Sequence, residues 1–175
     1  DDLGRAFVGS VTMGSGQFCT NPGLVIAVDG PGLDTFVAAA REALSAAPAT
    51  PMLTPNIARS YSDGVAALTQ AAETVARGED PTIDTACNAA LFATDATSFL
   101  SSETLQAEVF GSSSLIVRCA DVAEMHTVAQ GIEGQLTATV HADDSDVDEA
   151  RALLPLLELK AGRILFNGWP TGVEV

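Results

Sequence analysis

Short apolar segments that recur between helix-like stretches constrain the fold of this chain more than any other feature. Two of them, Leu24 to Val28 and Ser114 to Cys119, are nearly continuous runs of apolar residues. Continuous runs are typical of strands buried on both faces, and strands that alternate with helices are typical of parallel sheets with right-handed crossovers. The pattern therefore predicts an α/β fold, with a largely parallel sheet and helices on both faces.

The periodicity of the other apolar residues and the turn signals predict the remaining elements. Further strands are expected over 86–93, 136–141 and 163–166. Helices are expected over 3–13, 35–46, 101–106, 121–131 and 146–159, with Asp34 as the cap of the second of these. Another helix is expected after the Pro-rich loop 50–55, ending at about Arg77 because Gly78 is a stop signal.

Length and composition favour a globular chain and exclude several classes of partner. The 175 residues are 47% hydrophobic and 18% charged, which suits one domain with its own core. The net charge of −15 would repel phosphates and anionic lipids, so no nucleic acid and no membrane is expected as a partner. No apolar run approaches the roughly 20 residues that a membrane span requires.

The cysteines differ in their sequence surroundings. Their odd number and wide spacing argue against disulfides or structural zinc and favour a reducing, cytoplasmic compartment. Cys87 and Cys119 lie in apolar runs and are expected to be inert. Cys19 lies between the small residues 14–16 and Pro22, which would let the backbone bring its thiol close to a substrate. Cys19 is therefore a candidate nucleophile, with an ordinary free cysteine as the alternative.

The histidines and the acidic segment do not predict a metal site. His126 falls in a predicted helix and His141 at a strand end, and neither has a carboxylate or cysteine at ligand spacing. The acidic residues of 143–149 lack the twelve-residue calcium loop with its central glycine. We expect structural histidines and a solvated turn that starts a helix.

Two motifs in the expected order resemble those of the aldehyde dehydrogenase superfamily. Residues 16–19 (Gly-Gln-Phe-Cys) are similar to its Gly-Gln-x-Cys nucleophile motif, and residues 108–111 (Glu-Val-Phe-Gly) to its Glu-x-Phe-Gly motif. Residues 167–175 resemble the corresponding sequence stretch of the branch that oxidises 2-oxoglutarate semialdehyde (2,5-dioxopentanoate) and related aldehydes. Leu24 stands where many members have arginine, which agrees with this branch. The resemblance covers essentially the whole chain, as the catalytic domain of that superfamily.

The resemblance implies a role for each motif residue. Cys19 would add to the aldehyde to give a thiohemiacetal, which passes a hydride to nicotinamide and becomes a thioester that water hydrolyses. The Cys19 backbone N–H would contribute to the oxyanion hole. Glu108 would hold the nicotinamide ribose hydroxyls and Phe110 would pack near the nicotinamide. Trp169 and Pro170 would line the aldehyde tunnel, with structural packing as the alternative.

The resemblance also implies parts that cannot be located in this sequence: a Gly-rich dinucleotide-binding region, the asparagine of the oxyanion hole and a glutamate base. Residues 1–175 are thus expected to be a catalytic-domain fragment without its cofactor-binding domain, inactive alone. The parent would be a homo-oligomer that acts on a small-molecule aldehyde with NAD or NADP. Two alternatives remain open: a long-chain aldehyde dehydrogenase of the same branch, and a non-catalytic binding module that kept the fold.

Overall fold

The computed structural model describes residues 2–171. The helices are α1 (Asp2–Thr12), α2 (Pro31–Ser45), α3 (Pro55–Ala71), α4 (Ala96–Leu100), α5 (Glu103–Gln106), α6 (Val122–Gly131) and α7 (Val147–Glu158). The strands are β1 (Leu24–Val28), β2 (Thr50–Pro51), β3 (Glu73–Arg77), β4 (Ala86–Cys87), β5 (Ala90–Asp95), β6 (Ser113–Cys119), β7 (Gln135–Val140) and β8 (Ala161–Phe166). A 3-10 helix over Met13–Gly16 follows α1.

A four-stranded sheet with the order β1-β6-β5-β3 forms the central layer. Strands β1, β6 and β5 are parallel, with Leu24 and Phe92 both opposite Leu115. Strand β3 runs antiparallel to β5 at one edge. Strands β7 and β8 form a separate parallel pair, and β2 and β4 a short antiparallel pair. The predicted α/β class with a largely parallel sheet is confirmed.

Apolar clusters cover both faces of this sheet. On one face Leu115 packs in a cluster with Tyr61 of α3, and on the other Ile116 packs in a cluster with Phe7 of α1 and Leu44 of α2. Successive strand residues point to opposite faces, so a continuous apolar run supplies both clusters. This explains why β6 shows no alternation of polar and apolar residues, and it confirms helices on both faces.

The structure corrects the prediction of a helix that continues to Arg77. Helix α3 ends at Ala71, and Ala72 adopts an extended backbone. The next five residues form β3, which pairs with β5 and buries Val75 and Ala76. The helical interpretation failed because this edge strand is stabilised by pairing with a distant strand rather than by its own pattern.

The start of α2 and the strand predicted over 86–93 also differ from expectation. Helix α2 begins at Pro31 with Gly30 as its N-cap, because proline is pre-organised for the first helical position. Asp34 is therefore not the cap, and it instead accepts hydrogen bonds from the Arg118 guanidinium. The predicted strand is divided into β4 and β5, which belong to different sheets.

The other predicted elements lie within two residues of their predicted limits. Across residues 2–171 no helix is long and apolar enough to cross a membrane. Within the same residues, no group of three or more His, Cys, Asp or Glu side chains is placed to hold a metal ion.

Candidate active site

The candidate site lies at the edge of the sheet where the neighbouring parallel strands β1 and β6 begin. Cys19 precedes β1, while Glu108 and Phe110 precede β6. Because the two strands are parallel and directly paired, the segments that lead into them meet at the same edge. The fold therefore brings the two sequence motifs together although they are distant in sequence.

A left-handed turn leads from α1 to the cysteine. Gly14, Ser15 and Gly16 have φ angles of 56°, 60° and 66°. Glycine adopts this conformation freely, whereas a residue with a Cβ, here Ser15, loses about 1–2 kcal/mol in it. The buried Ser15 hydroxyl donates a hydrogen bond of 2.9 Å to the Pro51 carbonyl, which helps to offset this cost. The small residues that the sequence places before Cys19 thus permit the chain reversal.

The cysteine itself lies in a turn that is anchored on both sides. Gln17 Oε1 accepts a hydrogen bond from the Leu53 N–H at 2.9 Å, and its Nε2 donates to the Gly14 carbonyl at 3.1 Å. The Asn21 N–H donates to the Phe18 carbonyl at 3.0 Å and closes the turn around Cys19. Cys19 is exposed on this turn. The backbone therefore presents the thiol to solvent from a fixed position.

Two glycines let the nucleophile motif contact the Glu-Val-Phe-Gly segment. A Cβ on Gly16 would lie 2.2 Å from the Gly111 carbonyl carbon, and a Cβ on Gly111, whose φ is 151°, would lie 2.3 Å from the Tyr61 ring. The Tyr61 hydroxyl is 2.8 Å from the Asn88 carbonyl and 3.0 Å from the Ser112 carbonyl, and burial raises the pKa of this tyrosine. Because these hydrogen bonds hold the Tyr61 ring in place, a side chain does not fit at Gly111. The Gly111 backbone in turn leaves no room for a side chain at Gly16.

The side chains of the two motifs are accessible at this edge. Cys19 and Glu108 are exposed, and Phe110 is 41% exposed. An exposed thiol, a carboxylate and an aromatic ring on two adjoining segments are groups that can bind a ligand with both polar and apolar parts.

The surroundings of the other two cysteines favour the protonated thiol over the thiolate. Cys119 is fully buried in β6, and burial, followed by the charges of Glu124 and Asp121, raises its pKa to about 11. Burial also raises the pKa of the half-buried Cys87 thiol. Since the thiolate is the nucleophile, these positions favour the inert role expected for both cysteines.

The structure places Trp169 in packing contact with α1. The half-buried Trp169 ring has its centroid 5.5 Å from that of Phe7 and 4.4 Å from that of His141. Pro170 is buried, and Thr171 forms a buried hydrogen bond of 2.7 Å with Ser10. These contacts favour the packing alternative, and the tunnel role stays a prediction. Of the stretch 167–175 that resembles the semialdehyde-oxidising branch, residues 172–175 lie outside the described residues.

The sequence motifs do not identify Asn21 as a contact residue of the site. Asn21 Nδ2 donates a hydrogen bond of 3.0 Å to the Gly111 carbonyl, 90 positions away in sequence. The pair Asn21-Pro22 indicates a turn, but nothing in the local pattern indicates a distant partner. Only the pairing of β1 with β6 brings the two residues together.

Comparison with known proteins finds relatives that this chain matches over part of their own length. The chain is 49% identical over 177 residues to alpha-ketoglutaric semialdehyde dehydrogenase 2 of Azospirillum brasilense, a match that covers 100% of this chain and 34% of that protein. It is 43% identical to alpha-ketoglutaric semialdehyde dehydrogenase of Acinetobacter baylyi, over 96% of this chain and 32% of that protein. The chain thus spans about a third of the length of these curated relatives. No family model matches it.

Solved structures show the same fold at lower identity. Aldehyde dehydrogenase C of Pseudomonas syringae, in complex with NAD+ and octanal, superposes with a TM-score of 0.77 at 17% identity, over 95% of this chain and 36% of that chain. Together with the close sequence relatives, this confirms the resemblance that the sequence motifs predict.

Proposed function

Because the chain matches the aldehyde dehydrogenase superfamily in both sequence and fold, we propose that it is the cysteine-bearing catalytic domain of an NAD(P)-dependent aldehyde dehydrogenase. The observation that carries the proposal is the contact between Gly16 and Gly111. Through it the candidate nucleophile and the candidate cofactor residues share one edge of the sheet. The active enzyme is then a longer polypeptide that also contains the cofactor-binding domain.

Cys19 is the nucleophile in this proposal. Its thiolate adds to the aldehyde carbonyl and holds the substrate carbon first as a thiohemiacetal and, after oxidation, as a thioester that water hydrolyses to the carboxylic acid. The Cys19 backbone N–H donates to the developing oxyanion. The anchored turn around Cys19 keeps both the thiol and this N–H in place without reorganisation during the reaction.

The residues of the second motif fit a nicotinamide dinucleotide. The exposed Glu108 carboxylate can accept hydrogen bonds from two neighbouring ribose hydroxyls, and the accessible Phe110 ring can pack against the nicotinamide. When bound, the nicotinamide supplies the acceptor for the hydride. The adenosine contacts that distinguish NAD from NADP would come from the cofactor-binding domain, so the proposal is for either cofactor.

The proposed substrate is 2-oxoglutarate semialdehyde. Two relatives with 49% and 43% identity have this semialdehyde in their names, which supports it as the substrate over other aldehydes. A long-chain aldehyde is the second candidate. Kinetics of the complete enzyme with 2,5-dioxopentanoate and with aliphatic aldehydes of increasing length distinguish them by the ratio of their kcat/KM values.

Replacement of the nucleophile tests the proposed reaction. Cys19→Ala in the complete enzyme is expected to lower aldehyde oxidation at least roughly a thousandfold, because it removes covalent catalysis. The melting temperature should change little, since Cys19 is exposed. Cys87→Ala is the matched control and should retain activity. Substantial oxidation by Cys19→Ala would remove this residue from the catalytic role.

Thiol labelling distinguishes the enzyme from a non-catalytic module with the same fold. Under mild iodoacetamide treatment followed by mass spectrometry, an activated Cys19 should be alkylated far faster than Cys87 and Cys119. It should also react faster than Cys19 in the urea-unfolded chain, because exposure alone cannot raise the rate above that of an unfolded thiol. Similar slow labelling at all three sites would favour the module.

A further inference from the structure

We propose that Asn21 is a positioning residue that holds the cysteine turn in register with the segment carrying Glu108 and Phe110. The inference rests on the proposed function and deepens it. It assigns a task to a side chain that itself contacts neither the substrate nor the cofactor.

Asn21 belongs to both halves of the site. Its backbone N–H closes the turn that contains Cys19 by donating to the Phe18 carbonyl at 3.0 Å. Its side-chain Nδ2 donates to the Gly111 carbonyl, also at 3.0 Å. Cys19 lies two residues before Asn21, and Phe110 one residue before Gly111. A single residue therefore joins the nucleophile turn to the second motif.

The other contact between these segments cannot perform this task. Gly16 touches Gly111 by van der Waals packing, which prevents closer approach but offers little resistance to sliding or separation. A hydrogen bond has a preferred distance and direction, so it limits both the sliding and the separation of the two segments. Within the part of the chain that the structure describes, the Asn21 amide is thus the directional connection between the two motifs.

Stability alone does not account for this asparagine. The Gly111 carbonyl also accepts a hydrogen bond from the Ser113 N–H at 2.8 Å, so it would keep a partner without Asn21. Asn21 Oδ1 is buried and has no hydrogen-bond partner among the described residues. An unpaired buried acceptor costs at least as much as one hydrogen bond contributes. A buried polar atom without a partner calls for an explanation other than its contribution to stability.

The reaction is sensitive to the geometry that this bond controls. Hydride transfer requires the carbon on Cys19 to lie against the nicotinamide, and small misplacements slow such steps by large factors. Addition of a small alkylating reagent to the thiol requires no such alignment. Loss of the Asn21 side chain should therefore separate the two measurements.

The test uses Asn21→Ala in the complete enzyme. Single-turnover nicotinamide reduction at saturating cofactor and aldehyde should slow at least roughly tenfold, while iodoacetamide alkylation of Cys19 and the melting temperature should stay nearly unchanged. Ser114→Ala is the matched control, because it removes a 2.8 Å hydrogen bond to the Pro22 carbonyl, which joins β6 to the segment leading into β1 beyond the turn. Ser114→Ala should leave hydride transfer unchanged.

A second variant tests the donor itself. In Asn21→Asp the carboxylate cannot donate to the Gly111 carbonyl, but its protonated form can. Hydride transfer by Asn21→Asp, relative to the unaltered enzyme at the same pH, should therefore recover as the pH falls. Unchanged hydride transfer in both variants, or equal losses in Asn21→Ala and Ser114→Ala, would overturn the positioning role. Neither outcome would affect the proposed function, which fails instead if Cys19→Ala retains oxidation.

Discussion

Among residues 2–171, Glu108 has no hydrogen-bond or ion-pair partner that would explain a carboxylate at its position. It is exposed, lies outside the helices and strands, and is followed by a segment held firmly through Gly111. We expect Glu108→Gln in the complete enzyme to slow single-turnover hydride transfer roughly tenfold, because a neutral amide is a weaker acceptor for ribose hydroxyls than a carboxylate. Cys19 alkylation should not change.

Glu103→Gln provides the matched control for this charge. Glu103 is an exposed carboxylate in the first turn of α5, a few residues before Glu108. Its substitution removes the same charge from the same region without touching the motif. Normal hydride transfer by Glu108→Gln, or equal losses in the two variants, would contradict the assignment to the cofactor.

At the scale of elements, a half-buried titratable group, His141, lies directly after β7. Burial lowers the pKa of His141, whose ring lies 4.4 Å from the ring of Trp169. The folded state therefore takes up the proton at lower pH than the unfolded chain, which has the ordinary pKa of about 6.5. The stabilisation is complete above that value and is lost as the pH falls below it.

Trp169 reports this dependence because it is the only tryptophan. Urea unfolding followed by Trp169 fluorescence should show a lower midpoint at about pH 5.5 than at about pH 7.5. In His141→Gln this difference should shrink, since the group that charges on unfolding is gone. An undiminished difference in the variant would assign the acid sensitivity to other groups.

The elements differ in how well their sequences specify them. Strands β1 and β6 are predictable because a buried strand needs an apolar run, and that requirement is local. Strand β3 is not, because its short segment follows α3 without a clear stop and becomes a strand only by pairing with β5. The same division holds for the site. Cys19 belongs to a local motif, whereas the bond from Asn21 to Gly111 depends on the parallel pairing of two strands.

At the scale of the whole molecule, the central sheet and the β7–β8 pair are buried to different extents. Strands β5 and β6 contain residues with no exposed area, such as Phe92 and Ile116. Strands β7 and β8 are mostly half-buried or exposed. Regions with fewer buried apolar contacts open at lower free energy than the core. The β7–β8 pair should therefore open before the central sheet.

Hydrogen exchange followed by mass spectrometry measures this order. As urea is raised below the unfolding transition, peptides from β7 and β8 should lose protection before the peptide that contains β6. Ser10→Ala removes the buried hydrogen bond to Thr171 that ties the segment after β8 to α1. This variant should speed exchange in β8 while β6 keeps its protection, because the central sheet does not depend on that bond. Loss of protection in all the strands together would show instead that the chain unfolds as one cooperative unit.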